Sequence, residues 1–221
     1  MNDKLIIIGI GEIANIAYEY FSEDSMYDIK GFAVNSQYKK VDVFRGLPVF
    51  DVEKLKNIYS PKECKIFVAM GNGKLNYERT SMFYRIKEQG YTFANYISSN
   101  AFIWKNVSIG ENCFILENNV LQPFVSIGDN VFIWSGNHIG HQTHIANNCF
   151  ITSHVVISGM CNIGENTFIG VNSSVSEYIN IAKDNYIAMA TVINKNTKEN
   201  SIYKGNPAQT FDVTAKEYCE V

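Results

Sequence analysis

The stretch from Ala101 to Asn196 decides the fold, and it is best written six residues at a time: AFIWKN VSIGEN CFILEN NVLQPF VSIGDN VFIWSG NHIGHQ THIANN CFITSH VVISGM CNIGEN TFIGVN SSVSEY INIAKD NYIAMA TVINKN. The third place of every hexad, from Ile103 through Leu121 and Val175 to Ile193, is aliphatic without a gap. The first place is usually small or narrow (Cys113, Val125, Val131, Thr143, Cys149, Cys161, Thr167, Ser173, Thr191), and the fourth is often Gly or Ala. Unrelated strands with period-two alternation would not hold a spacing of six. A short β-segment points one aliphatic residue inward, a turn follows, and three hexads close a triangular coil of about 18 residues; some five coils then stack by parallel ladders into a β-helix.

Residues 18 apart lie above one another in such a rod. The second places therefore form three columns: Phe114, Phe132, Phe150, Phe168, Tyr186; then Ser108, Ser126, His144, Asn162, Asn180; and the mixed column Phe102, Val120, His138, Val156, Ser174, Val192. A bare row of five aromatics is the kind of apolar patch that soluble monomers avoid. The expectation is that another subunit covers the aromatic side and that the polar column faces water; the alternative is that the rings only stack on each other.

Outside the repeat, composition is that of an ordinary globular chain: 221 residues, 46% hydrophobic, net charge -3. Without a basic run, nucleic acid and anionic membranes are poor partners. The opening MNDKLIIIGIG is too short an apolar stretch for a spanning helix and continues wrongly for a signal peptide, so the chain reads as cytoplasmic. The five cysteines show no C-x-x-C spacing, and Cys113, Cys149 and Cys161 take the small inward place, as core thiols of a reducing compartment.

Residues 1–95 follow a different grammar, that of a small open α/β sheet, with 96–221 as the second domain. Leu5 to Ile8 reads as a strand, Gly9-Ile10-Gly11-Glu12 as a turn and Ile13 to Phe21 as a helix. Strands follow at Ile29–Val34 and Cys64–Met70, a turn at Gly46-Leu47-Pro48-Val49, and helices near Val52–Ile58 and Asn76–Gln89. Strand, glycine turn and helix open a βαβ unit that can receive an anion at the helix N-terminus, although the same glycines would serve a mere tight turn. The second strand ends in Val34-Asn35 without the acidic residue that holds a ribose diol, and fewer than 100 residues leave room for half a dinucleotide fold. A nucleotide sugar or another mononucleotide fits better than NAD, with Gly11, Glu12, Ile13, Asn35 and Asn72 as the candidate binding residues.

All four histidines, His138, His141, His144 and His154, fall within 17 residues in the middle of the repeat. His144 lies on the polar column and reads as solvated. His138 lies on the mixed column, where it either lines a site or covers an edge. His141 follows Gly140 at a corner, placed to meet a neighbouring rod and to act as general base, since an imidazole is available neutral at pH 7. His154 sits at a turn above Gly136. Three convergent imidazoles would hold zinc, but a spacing of three around one coil sends His138, His141 and His144 to different sides, so no metal is expected.

The α/β domain, the hexads and Lys204-Gly205-Asn206-Pro207-Ala208 together resemble the bacterial sugar O-/N-acyltransferases of the sialic acid O-acetyltransferase and bacillosamine N-acetyltransferase type; Gly71-Asn72 and Arg79 narrow the resemblance to that branch. The resemblance implies a left-handed β-helix behind a Rossmann-like half-domain. It also implies a homotrimer with active sites between adjacent β-helices, acetyl-CoA along the groove, and N-acetylation of a dTDP- or UDP-linked amino sugar in surface-glycan biosynthesis. The family's catalytic histidine falls in register on His141, with Gln142 in the place of its acidic partner and His138 as a helper or substitute. Gly159, Gly170 and Phe150 then border the cofactor, and the Gly159 N–H faces the developing oxyanion. Gln142 departs from the pattern, since an amide orients the ring without adding charge. O-acetylation of a hydroxyl, a non-catalytic scaffold and a zinc-dependent β-helix are the rival readings.

Overall fold

The computed structural model describes residues 3–206 and 208–221. The chain divides into two compact units, Met1–Gly71 with Ser81–Tyr96, and Asn72–Thr80 with Ile97–Val221. The segment 72–80 belongs to the β-helix unit.

In the N-terminal unit, β1 (Lys4–Ile8) is central, parallel to β2 (Asp28–Val34) on one side and to β5 (Lys65–Val68) on the other. Helix α1 (Glu12–Glu23) buries Ala14, Ala17 and Phe21, whose ring meets Phe67 edge-on at 4.9 Å. A second cluster gathers Ile6, Ile8, Ile66 and Val68 with Leu55 of α2 (Leu55–Ile58) and with Met82, Phe83 and Ile86. Strands covered on both faces read as continuous aliphatic runs, and this is why LIII and KIFV stood out in the sequence.

One expectation fails here. Leu47–Asp51 is not merely a turn but a strand, β4, antiparallel to β3 (Val43–Phe44) and parallel to β2 at Phe32–Val49. Arg45 and Gly46, both at positive φ (53° and 77°), make the two-residue hairpin between them. Order β3-β4-β2-β1-β5 makes the sheet mixed.

The second unit is the left-handed β-helix. Two-residue strands recur every six residues and stack as three parallel sheets, one for each column. Every inward aliphatic from Leu121 to Ile193 is buried, as are the small first-place residues from Cys113 to Thr191. The corners are made by one residue per hexad in the left-handed region: Asn112, Asn118, Phe124, Asn130, Gly136, Gln142 and so on to Ala190, with φ from 54° to 78°. The fourth-place glycines answer to coil stacking; a Cβ on Gly170 would stand 2.5 Å from the Met189 nitrogen.

Three of the five column aromatics are buried and the other two, Phe168 and Tyr186, half-buried, and the cover seen here comes from the chain itself rather than from the expected second subunit. Phe114, Phe132 and Phe150 are inaccessible, and neighbouring rings stand 5.4, 5.8, 5.9 and 4.8 Å apart from Phe114 to Tyr186, so the stacking alternative also holds. The segment 72–80 lies on this face. Lys74, Leu75 and Asn76 form a left-handed run (φ 49°, 49° and 69°) that leads into α3 (Tyr77–Glu88) and seats Leu75 and Tyr77 with Phe168 and Tyr186. The fully buried Arg79 guanidinium lies 4.4 Å from the Phe132 ring centre and 5.4 Å from that of Phe150. Downstream, the hairpin Ser201–Lys204/Gln209–Thr214 extends the aromatic sheet. Helix α4 (Ala215–Tyr218), capped reciprocally by Thr214 and Glu217, places Tyr218 5.1 Å from Tyr186. Pro207 of the quoted ending lies outside the described residues.

Arg79 is held by the corner between the polar and aromatic sheets. Its Nε donates to Asn130 Oδ1 (3.2 Å), Nη1 to Asn76 Oδ1 (3.4 Å), and Nη2 to the carbonyls of Asn130, Asn148 and Cys149 (3.3, 3.0 and 3.3 Å). Burial pulls its pKa down to about 9, which leaves it charged at neutral pH. Replacing it strands several carbonyls in a dry site, so Arg79→Met should cost about 2–4 kcal/mol in urea unfolding. The exposed Lys195→Met should stay within about 0.5 kcal/mol of the parent.

Candidate active site

The corner between the mixed and polar sheets carries His141. Its backbone N–H donates to Gln122 Oε1 at 2.9 Å, which ties the turn to the coil below. The ring is exposed, and Nδ1 lies 3.4 Å from Gln142 Oε1. An Nδ1–H facing that carbonyl leaves the lone pair on Nε2, the tautomer a general base needs. The ring packs over Gly159, one coil on: a Cβ there would stand 2.7 Å from Nε2 and 2.8 Å from Cε1. Among the described residues no acceptor takes the Gly159 N–H.

The other histidines do not join this corner. His138 is half-buried on the mixed sheet between Val120 and Val156. His144 is exposed on the polar sheet, with Nδ1 2.8 Å from Ser126 Oγ. His154 lies at the corner after the aromatic sheet, over Gly136. Among the described residues no three His, Cys, Asp or Glu side chains gather as a metal-binding group.

Two of the expected cofactor residues sit elsewhere. Phe150 is buried beneath Arg79, which withdraws its ring from any ligand on that face. Gly170 follows the aromatic strand, with its N–H given to Ile187 O at 2.8 Å in the ladder, so packing accounts for it.

In the N-terminal unit the two glycines separate. Gly9 has φ 126°, and a Cβ would stand 2.6 Å from Ala69 O, so its glycine is structural. Gly11 has ordinary φ (-91°), a Cβ there would meet nothing within 4 Å, and the residue caps α1 with no side-chain hydrogen bond. Neither strain nor crowding asks for glycine at 11. Glu12 is exposed and Ile13 half-buried beside it, and Asn35 closes β2 on the same carboxyl edge of the sheet. Asn72 belongs to the other unit, where its carbonyl accepts from the Asn76 N–H at 3.1 Å.

Residues 124–159 match the family described as bacterial transferase hexapeptide (six repeats), and 162–194 the hexapeptide repeat of succinyl-transferase. Residues 124–194 thus carry hexapeptide repeats of these two described kinds. No curated protein matches the sequence. Among solved structures, the chain is similar to the acetyltransferase domain of PglB from Neisseria gonorrhoeae with acetyl coenzyme A: 21% identity, 96% of this chain and 100% of that one, TM-score 0.85. It is also similar to a histidine-to-asparagine variant of perosamine N-acetyltransferase from Caulobacter crescentus, solved with CoA and GDP-perosamine: 20%, 94% and 96%, TM-score 0.83. AntD, an N-acyltransferase from Bacillus cereus solved with dTDP and coenzyme A, shares 17% over 62% of this chain and 91% of that one, TM-score 0.52. These likenesses fix the fold of the hexapeptide chain, including its N-terminal sheet. Among the described residues no helix is long and apolar enough to cross a membrane.

Burial pushes the Cys113 and Cys149 thiols up to about 12 and raises Cys161, so none of these three is a ready nucleophile. With a disulfide-exchange reagent at pH 8, the half-buried Cys219 should react first, and Cys64, Cys113, Cys149 and Cys161 only after denaturant is added; fast native reaction of more than one thiol would contradict this packing.

Proposed function

We propose that the chain is an acetyl-CoA-dependent N-acetyltransferase acting on the amine of a nucleotide-linked amino-deoxy sugar in surface-glycan biosynthesis, working as a homotrimer with His141 as general base. The observation that carries the reading is the His141–Gly159 corner, where an exposed imidazole packs over the glycine of the next coil and, among the described residues, no acceptor takes that glycine's N–H. Support comes from the neighbours, which hold CoA or acetyl-CoA, and GDP-perosamine in one case; two solved variants of the perosamine enzyme replace a histidine.

In the proposed step the amine nitrogen bonds to the thioester carbonyl carbon while its proton passes to His141 Nε2. The Gly159 N–H faces the oxygen as it gains charge. The C–S bond then breaks, and the CoA sulfur takes the proton from the imidazolium. Gln142 holds the ring but lends it no charge. Gly11, Glu12 and Ile13 receive the pyrophosphate at the open N-terminus of α1, with Asn35 toward the nucleoside.

Thiol release from acetyl-CoA over a panel of UDP-, dTDP- and GDP-linked amino sugars tests this. Turnover on one amine should fall at least about a hundredfold in His141→Ala with its melting temperature unchanged. Undiminished turnover in the variant would remove His141 from the mechanism, and turnover only on amine-free sugars would turn the assignment to O-acetylation.

A further inference from the structure

We propose that Gln122 is a positioning residue for the base: its side-chain oxygen fixes the turn that carries His141, in place of the corner side chain for which the imidazole leaves no room. The inference rests on reading His141 as the general base.

The repeat satisfies the N–H at the fifth place of a hexad in a recurring way. At the corner between the polar and aromatic sheets, the Glu111 N–H donates to Asp129 Oδ1 at 2.9 Å and the Asp129 N–H to Asn147 Oδ1 at 2.8 Å. Each acceptor is the fifth-place side chain one coil above. His141 is a fifth place too, and the residue above it is Gly159. A Cβ on Gly159 would stand 2.7 Å from His141 Nε2, so the ring and an acceptor at 159 exclude one another. The acceptor has to come from the coil below. There the fifth place is Pro123, whose side chain is hydrocarbon, and the fourth place supplies the group instead: Gln122 Oε1 takes the His141 N–H at 2.9 Å. Among the fourth places of the hexads only Gln122 and Asn194 carry a carboxamide, and Asn194 stands in the last hexad, away from the histidines.

This tie acts on direction more than on stability. The main chain closes the rest of the turn, the Met160 N–H donating to His141 O at 2.8 Å and the Gln142 N–H to Pro123 O at 3.0 Å. Those bonds survive a change of the Gln122 side chain. What Gln122 fixes is the peptide plane between Gly140 and His141, which sets the direction of the His141 Cα–Cβ bond and so of the ring over Gly159. The Gln142 contact to Nδ1, at 3.4 Å, is long for a hydrogen bond and does not hold the ring by itself. A catalytic group misplaced by about 1 Å can lose about a hundredfold in rate. A half-buried hydrogen bond at an exposed corner contributes far less to folding.

Two variants of the full chain separate these roles. Gln122→Leu keeps the bulk and loses the acceptor, whereas Gln122→Glu keeps an oxygen at the same reach. On the amino sugar that the parent turns over, Gln122→Leu should lower kcat at least about tenfold with KM for both substrates within about twofold, and Gln122→Glu should restore kcat to within about threefold of the parent. Both should melt within a few degrees of the parent. Heteronuclear NMR of the imidazole nitrogens at about pH 8.5, where an ordinary imidazole is neutral, reads the ring separately. The His141 Nδ1 and Nε2 signals, set apart in the parent by one favoured tautomer, should draw together by at least about half in Gln122→Leu and separate again in Gln122→Glu, with those of His138 and His154 unmoved. An unchanged kcat or unchanged His141 signals in Gln122→Leu would overturn the inference and leave His141 as the base. A rise in KM at constant kcat would assign Gln122 to substrate binding and overturn it equally. Undiminished turnover in His141→Ala, or turnover of no sugar, would remove the base and this inference with it.

Discussion

One left-handed residue at every sixth position closes each corner of the rod, and nearly everything else in the β-helix unit follows from that requirement. From residue 112 to residue 190 the backbone returns to positive φ at each hexad, mostly on residues other than glycine. Such a residue costs about 1–2 kcal/mol when unsupported, so a long unbroken series exists only because the inward aliphatics and the parallel ladder repay it coil by coil. The corner residue also points its side chain off the rod. Three corners therefore give three independent columns of side chains at no further cost to the fold, and the chain uses them differently.

At the corner between the polar and aromatic sheets the column is Asn112, Asn130, Asn148, Asn166 and Asp184, all buried. Asn112 donates to Asn130 at 2.8 Å, Asn130 to Asn148 at 2.9 Å, and Asn166 to Asp184 at 3.0 Å. A buried amide ladder needs partners on its outer side, and the segment 72–80 supplies them. Arg79 engages Asn130 and Asn148, Asn76 donates to the Asn166 carbonyl at 3.0 Å, and the Tyr77 hydroxyl donates to Asp184 at 2.9 Å. A single strap thus supplies outer partners at four of the five ladder residues and lies over the aromatic sheet, while Asn166 Oδ1 stays buried without a partner among the described residues. The Asx corner and the aromatic sheet are thus covered by one piece of chain.

The regular parts of the molecule were legible because each residue class answers to one force. Inward Ile, small first places, core thiols and the corner position of His141 all follow from a phase of six. The strap was not legible, because 72–80 lies outside the repeat and its contacts depend on the chain doubling back. A signal was nonetheless present: one corner column is Asx throughout, whereas the other two run through Phe, Gln, Met and Tyr or through Asn, Gly, His and Ala. Uniform Asx at 18-residue spacing marks a face that must hydrogen-bond outward. The β3–β4 hairpin was missed for a similar reason. Pro48 argues against a strand locally, yet its neighbours Leu47 and Val49 pair on opposite sides, with β3 and β2, and the pairing wins.

The corner that carries His141 shows how a repeat can hold an exposed imidazole without a loop. Gly140 is glycine because a Cβ would stand 2.5 Å from the Gly159 nitrogen of the coil above; Gly159 is glycine because a Cβ would meet the His141 ring. The two clearances are successive. The first lets the coils close, and the second lets the imidazole lie against bare backbone. Gln122 fixes the same turn from the coil below. His141 and Gly159 thus come from neighbouring coils whose spacing is set by the β-ladder, so their relation is as rigid as the rod. Stacking over Gly159 restricts the His141 ring, and the Gln142 amide, with Oε1 3.4 Å from Nδ1, has only to choose the tautomer.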